Sequence, residues 1–141
     1  MKRLIYLLPV SVIIAALLCP SVRANEAKER RAMRIANNWL VLVDEGRYVD
    51  SWQEAASYFQ AAVDSQQWQM SMAAFRDPLG SVISREVASK HYTTRLPGAP
   101  DGEYVVIQYK TSFENKRVAI ETVTPMRDKD GKWKVSGYYI R

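Results

Sequence analysis

The chain has 141 residues, 20 basic against 15 acidic, for a formal net charge of +5, and carries one histidine and one cysteine. That length suits one domain. One cysteine excludes an intramolecular disulfide. One histidine, one cysteine and no paired carboxylates at ligand spacing leave no recognisable metal site, and no cofactor is expected.

The chain opens on an export pattern. Lys2 and Arg3 precede an apolar run from Leu4 to Leu18, broken only by Pro9 and Ser11. Val22-Arg23-Ala24 then offers small or aliphatic residues at the two recognition positions of a cleavage site. The expectation is a signal peptide over residues 1–24, cut between Ala24 and Asn25, and one domain over 25–141 in the periplasm or medium. The apolar run is shorter than the roughly 20 residues that span a bilayer comfortably. An uncleaved anchor is therefore the alternative, and no membrane attachment is expected after cleavage. Cys19 ends the run as a lipid-attachment cysteine would, but it follows Leu18, where such sites want a small residue; a lipid anchor at Cys19 is a further alternative. Cleavage after Ala24 removes the cysteine together with Lys2, Arg3 and Arg23, so the charge falls from +5 to +2. No basic stripe interleaved with aromatics remains, which argues against a nucleic-acid partner. Lys28, Arg30, Arg31 and Arg34 stand beside Glu26 and Glu29 and read as a solvated helix face.

Residues 26–45 predict a helix, because Ala32, Ile35, Ala36, Trp39, Leu42 and Val43 recur every three or four positions. Gly46 suits its C-terminal cap. Ser51-Trp52-Gln53-Glu54 has the capping-box pattern of a second helix, carried on by Ala55, Ala56, Phe59 and Val63. Asp64-Ser65-Gln66-Gln67 offers a third start, with Trp68, Met72 and Phe75 on one face and Asp77-Pro78-Leu79-Gly80 as the stop. Residues 84–95 are rich in β-branched and aromatic residues but alternate poorly, and residues 96–102 form a turn-rich loop. Val105, Ile107, Tyr109, Thr111 and Phe113 then alternate with Gln108, Lys110 and Ser112. After a turn at Glu114-Asn115-Lys116, Val118, Ile120, Thr122 and Thr124 alternate with Arg117, Ala119 and Glu121, which sets Glu121 facing away from the helices. The Asp130-Gly131 turn leads into a last strand, in which Trp133, Val135, Gly137 and Tyr139 alternate with Lys134, Ser136 and Tyr138. Helices first and about four antiparallel strands afterwards predict an α+β fold with the helices on one face of a curved sheet.

Several runs carry a family resemblance: Trp39-Leu40 with Asp44, Gly46, Tyr48 and Ser51-Trp52; Pro78-Leu79-Gly80 with Ser84-Arg85; residues 96–104, Leu-Pro-Gly-Ala-Pro-Asp-Gly-Glu-Tyr; and residues 130–138, Asp-Gly-Lys-Trp-Lys-Val-Ser-Gly-Tyr. They resemble the bacterial family named domain of unknown function 4019, over nearly all of residues 25–141. The resemblance implies no activity. Its order of elements is similar to the nuclear transport factor 2-like (cystatin-like) fold, which often leaves a pocket between helices and sheet and hosts enzymes, ligand binders and interaction domains alike.

No residue is assigned a catalytic role. His91 as a general base needs an acid within reach, and Glu86, Asp101 and Glu121 are the candidates. The plainer reading is an exposed or hydrogen-bonded strand histidine. The chain has no Gly-x-Ser-x-Gly elbow and no glycine-rich phosphate loop. Glu103 and Glu121 on neighbouring strands are a further acid–base pair to consider. Trp39, Trp52, Trp68 and Trp133, with Tyr58, Phe59, Tyr109 and Tyr139, either fill a core or line a pocket. The candidate ligand contacts are Trp52, Arg85, His91, Tyr109 and Tyr139. The sheet's other face, read as Tyr104, Gln108, Lys110, Arg117, Glu121 and Tyr138, suits a partner or a homodimer as well as solvent. The functional expectation is an exported, non-enzymatic module that binds a small molecule or a protein. A small-molecule enzyme using His91 and a structural homodimer through the sheet face are the alternatives.

Overall fold

The computed structural model describes residues 20–141. The apolar run of the expected signal and Cys19 lie outside the described residues. Four helices come first: α1 (Pro20–Asp44), α2 (Tyr48–Gln53), α3 (Ser57–Ala62) and α4 (Ser65–Phe75). A 3-10 turn at Asp77–Leu79 leads to β1 (Val82–Thr93), β2 (Tyr104–Phe113), β3 (Lys116–Arg127) and β4 (Trp133–Ile140). The strands form one antiparallel meander in the order β1-β2-β3-β4, with the helices on one face. The fold is α+β, as the order of sequence patterns predicts.

α1 buries Ala32, Ala36, Trp39, Leu40 and Val43, and the expected junction at Ala24–Asn25 falls in its first turns. The helix ends where the Gly46 amide bonds to the Val43 carbonyl and the Arg47 amide to the Leu42 carbonyl. This double closure needs the left-handed backbone of Gly46, whose φ is 71°. At the expected start of α4, Asp64 and Gln67 form a capping box. The one expected at Ser51 does not. Ser51 lies inside α2, fully buried, and its hydroxyl donates to the Tyr48 carbonyl (2.8 Å) and accepts from the Trp68 indole (2.9 Å). Tertiary bonding outweighs the local pattern here, and the start of α3 is capped from the far end of the chain. Asp128 accepts from the Ser57 amide (2.9 Å) and hydroxyl (2.6 Å). Phe75, expected beside Trp68 and Met72, is 73% exposed at the end of α4.

The alternation of β2 holds throughout: Val105, Ile107, Tyr109, Thr111 and Phe113 are all buried. Pairing with β2 then decides β3. Ile107 lies opposite Val123, Tyr109 opposite Glu121 and Thr111 opposite Ala119. Directly paired residues share a face, so Ala119, Glu121 and Val123 turn toward the helices. This reverses the expected orientation of Glu121; Val118, in the opposite set, is 64% exposed. A bulge in β4 breaks its alternation as well. Val123 pairs with Tyr138 and Pro125 with Val135, so three steps on β4 match two on β3. Val135 and Tyr138 therefore both reach the core, and Tyr139 is left 53% exposed. Tyr104 and Tyr138, read from sequence as outer-face residues, are also covered: Tyr104 is buried with Ala56 and Met126, and Tyr138 packs on the main core.

That core is aromatic at its centre. The Trp39 ring lies 5.9 Å from Trp68 and 5.4 Å from Tyr138, and Phe59 meets Trp68 edge-on at 5.0 Å. Rings of this kind each remove ~150–250 Å² from water. The space between the first helices and the β3–β4 half of the sheet is filled by them.

Candidate functional site

α1 has two polar flanks beside its buried stripe, and different chemistry gathers on each. Asn37, Leu40 and Asp44 face the β1–β2 side. Arg31, Ile35, Asn38 and Leu42 face α2 and the β3–β4 hairpin. The spacing of three and four residues within each set gives each its own stripe.

On the first flank, the β2–β3 register carries a carboxylate into the interior. Glu121 is 0% exposed. Arg85, from β1, bonds it through Nε (2.6 Å) and Nη2 (3.0 Å), and reaches Asp44 through Nη1 (2.6 Å) and Nη2 (2.9 Å). The Tyr138 hydroxyl donates to Glu121 Oε1 (2.6 Å), and the Thr111 hydroxyl donates to Oε2. Arg76 closes the cluster on Asp44 (3.2 Å), donates to the Gly80 carbonyl (2.7 Å), and lies over the Phe113 ring at 4.6 Å. Two guanidiniums thus meet two carboxylates. Among the described residues, Arg76 Nε is the network's one buried polar atom without a partner.

The electrostatics follow from this geometry. Burial alone would lower the Arg85 pKa, but the bonds and charges of Asp44 and Glu121 outweigh it and raise it further. Burial, then the Glu121 charge, push the Tyr138 phenol well above its ordinary value, so it remains a donor. The Tyr109 phenol is pushed up to about 12, mainly by burial. It donates to Asn37 Oδ1 (2.8 Å). Arg85 and Tyr109 are also the two expected ligand contacts that the fold brings together. With Asn37, Leu40 and Val87 they line a cleft of about 290 Å³. Their hydrogen-bonding groups already have partners inside the protein.

The other expected contacts lie elsewhere. His91 is exposed on the outer face of the edge strand β1, opposite Val106. None of its three candidate acids bonds to it: Glu121 lies on the opposite face of the sheet, and Asp101 faces Arg95. The Trp52 indole is tied to the Val63 carbonyl (2.7 Å), and Tyr139 lies on the outer face. Glu103 does not pair with Glu121 either. It takes bonds from Lys28, Tyr92 and Arg127, and the Lys28 bond leads the causes that hold its carboxyl below the ordinary range.

On the second flank lies a groove of about 1010 Å³ between α1, α2 and the β3–β4 hairpin. Ile35, Leu42 and Trp133 supply its apolar surface, and five cationic side chains line it: Arg31, Arg34, Arg47, Lys132 and Lys134. Arg47 is bound to Asp50, and Lys134 to Asp128 and Asp130. The side chains of Arg31, Arg34 and Lys132 have no hydrogen-bonded or ion-paired partner among the described residues. The two glutamates that sequence placed beside Arg31 and Arg34 pair with neither of them. Glu26 faces Arg30 and Glu29 faces Lys90. Trp133 differs from the other three tryptophans in the same way. The indoles of Trp39, Trp52 and Trp68 all donate to protein oxygens, whereas that of Trp133 donates to none among the described residues. Reading the sequence missed this site because it lies on three elements far apart in the chain. The one local signal was the Arg31–Arg34 spacing, a single helical turn.

The chain matches the model of a family described as a protein of unknown function, DUF4019, over residues 35–138. It belongs to that family. The matched range of this DUF4019 chain holds the whole Arg85 network and Trp133; Arg31 and Arg34 precede it. No curated protein gives a significant match.

Proposed function

We propose that the chain is an exported, non-enzymatic binding module of the nuclear transport factor 2-like type, and that its α1–α2–hairpin groove takes an anionic ligand. The observation that carries this reading is the set of unsatisfied donors facing one groove. Three cations without an ion-pair partner and one indole N–H without an acceptor, among the described residues, surround an apolar strip. Sites of this kind combine apolar contact area with a few convergent polar groups. The opposite flank of α1 supports the reading by contrast, since its charges are already matched. His91 stands apart from both sites, so no geometry favours the enzyme reading.

The indole protons give a direct test. In a nitrogen–proton correlation spectrum of protein purified from the periplasm, each of the four tryptophans contributes one side-chain signal. The Trp133 signal, identified by its loss in Trp133→Phe, is expected to exchange fastest with water. Citrate, or a peptide bearing carboxylates, should shift it more than the other three. A Trp133 indole that exchanges as slowly as that of Trp68, and that no anion shifts, would remove the reading.

A second reading rests on the sheet's outer face. No described element packs across it, and Val118 and Tyr139 are exposed there. Antiparallel sheets tolerate one solvated face, but this one also suits a homodimer. Sedimentation velocity over a hundredfold concentration range decides it: a constant monomer ends the dimer reading.

A further inference from the structure

We infer that the occupant of the groove is an extended, acidic peptide segment of a partner protein. This rests on the anion-binding reading above and narrows it. The charges come first. Arg31 and Arg34 stand on one wall and Lys132 on the other, none of them ion-paired among the described residues; five cations line the groove against two acids, Asp50, held by Arg47, and Glu54. A single compact anion needs one focused cluster; here the cations are spread along the groove. Residues three apart on a helix lie about 5–6 Å apart at Cβ. Alternate residues of an extended chain rise about 6.6 Å and share a face. Successive acidic side chains on one edge of such a segment therefore meet successive arginines.

The remaining lining suits a peptide better than an acyl chain. Asn38 and Gln53 line the groove with side-chain amides that make no hydrogen bond among the described residues. With the Trp133 indole they offer donors and acceptors to the N–H and C=O groups of a bound backbone. Ile35, Leu42 and the Trp133 ring take the alternate, apolar side chains. A volume of about 1010 Å³ accommodates several residues, and polar groups interrupt the apolar strip too often for a hydrocarbon tail.

The test uses the periplasmic protein and four probes. These are an acetylated, amidated octapeptide alternating Glu and Leu, the same peptide with Gln for Glu, citrate and dodecanoate. Calorimetry gives affinity, and the Trp133 indole signal reports the site. The Glu peptide should bind about tenfold or more tighter than each of the others. Its affinity should fall about tenfold between 50 and 500 mM NaCl, because the contacts are exposed and screened. It should fall by a similar factor in the R31Q/R34Q double variant, whose unchanged indole spectrum would show an intact fold. Equal binding of the Gln peptide overturns the acidic part of the inference, and preference for citrate or dodecanoate overturns the peptide part. Binding that ignores R31Q/R34Q and leaves Trp133 unshifted overturns the location. If citrate shifts Trp133 and the Glu peptide does not, this inference falls while the anion-binding reading stands. If nothing shifts Trp133, both fall.

Discussion

The two flanks of α1 carry similar residues in opposite states. Beside β1, the buried Arg76 and half-buried Arg85 are matched by the buried Glu121 and by Asp44 at the surface, so the charge is neutralised within the cluster. Beside the β3–β4 hairpin, Arg31, Arg34 and Lys132 face an open groove and form no ion pair among the described residues, although Glu54 also lines it. Arginine content alone does not separate a structural cluster from a receptive surface; the presence of a carboxylate within reach does. A buried charge needs its partner in place because desolvation of the lone ion is costly. An exposed cation has water instead and keeps its capacity for a ligand. The first flank therefore belongs to folding, and the second is the one we propose for recognition.

The most forceful way to break this contrast is to remove one charge from each side. Arg85→Leu strands Glu121 in the interior and should cost about 3–5 kcal/mol, read by urea denaturation. Arg34→Leu should leave the midpoint almost where it is. Equal losses would show that the two flanks do not differ as described.

A smaller effect sharpens the boundary between them. Asp128 caps α3 and holds the groove cation Lys134. Burial alone would raise its pKa, but the bonds from Ser57 and Lys129 and the Lys134 charge outweigh it and hold it at about 2. Its folded value lies below its unfolded one. The stability it supplies, about 2 kcal/mol, is therefore complete above about pH 4 and lost as the pH falls toward 2. Stability measured across that window should slope downward with acid, and Asp128→Asn should flatten the slope while lowering the plateau. A slope unchanged in the variant would assign the acid sensitivity to other carboxylates.

Least in magnitude is the stability change from Arg31→Gln or Arg34→Gln, expected within about 0.5 kcal/mol because both side chains are exposed and unpaired. A loss of more than about 1 kcal/mol in either variant would mean that the groove's cations hold the fold together, as those of the other flank do.

Much of the architecture was legible in the residues. The strict alternation of Val105 to Phe113, the apolar stripe of α1, the Gly46 cap and the Asp64 box all act within a few positions, and local physics sufficed for them. Glu121 shows where that stops. Within β3 both faces alternate about equally well, and only the pairing of Tyr109 with Glu121 says which one turns inward. Ser51 shows the same limit for a helix. Its local pattern suits a cap, but two indoles and a buried site place it inside α2.

The sequence by itself determined the α+β class, the order of elements, the family resemblance and the absence of a catalytic motif, because composition and short periodicities carry that information. The tertiary structure alone decided that Arg85 and Tyr109 share a cleft while His91 stands outside it. It alone decided that Glu29 reaches Lys90, and that Trp133 is the tryptophan whose indole finds no acceptor among the described residues. Each of these depends on which side chains from distant segments meet. A carboxylate neutralises a cation only within a few ångströms, and the fold sets that distance.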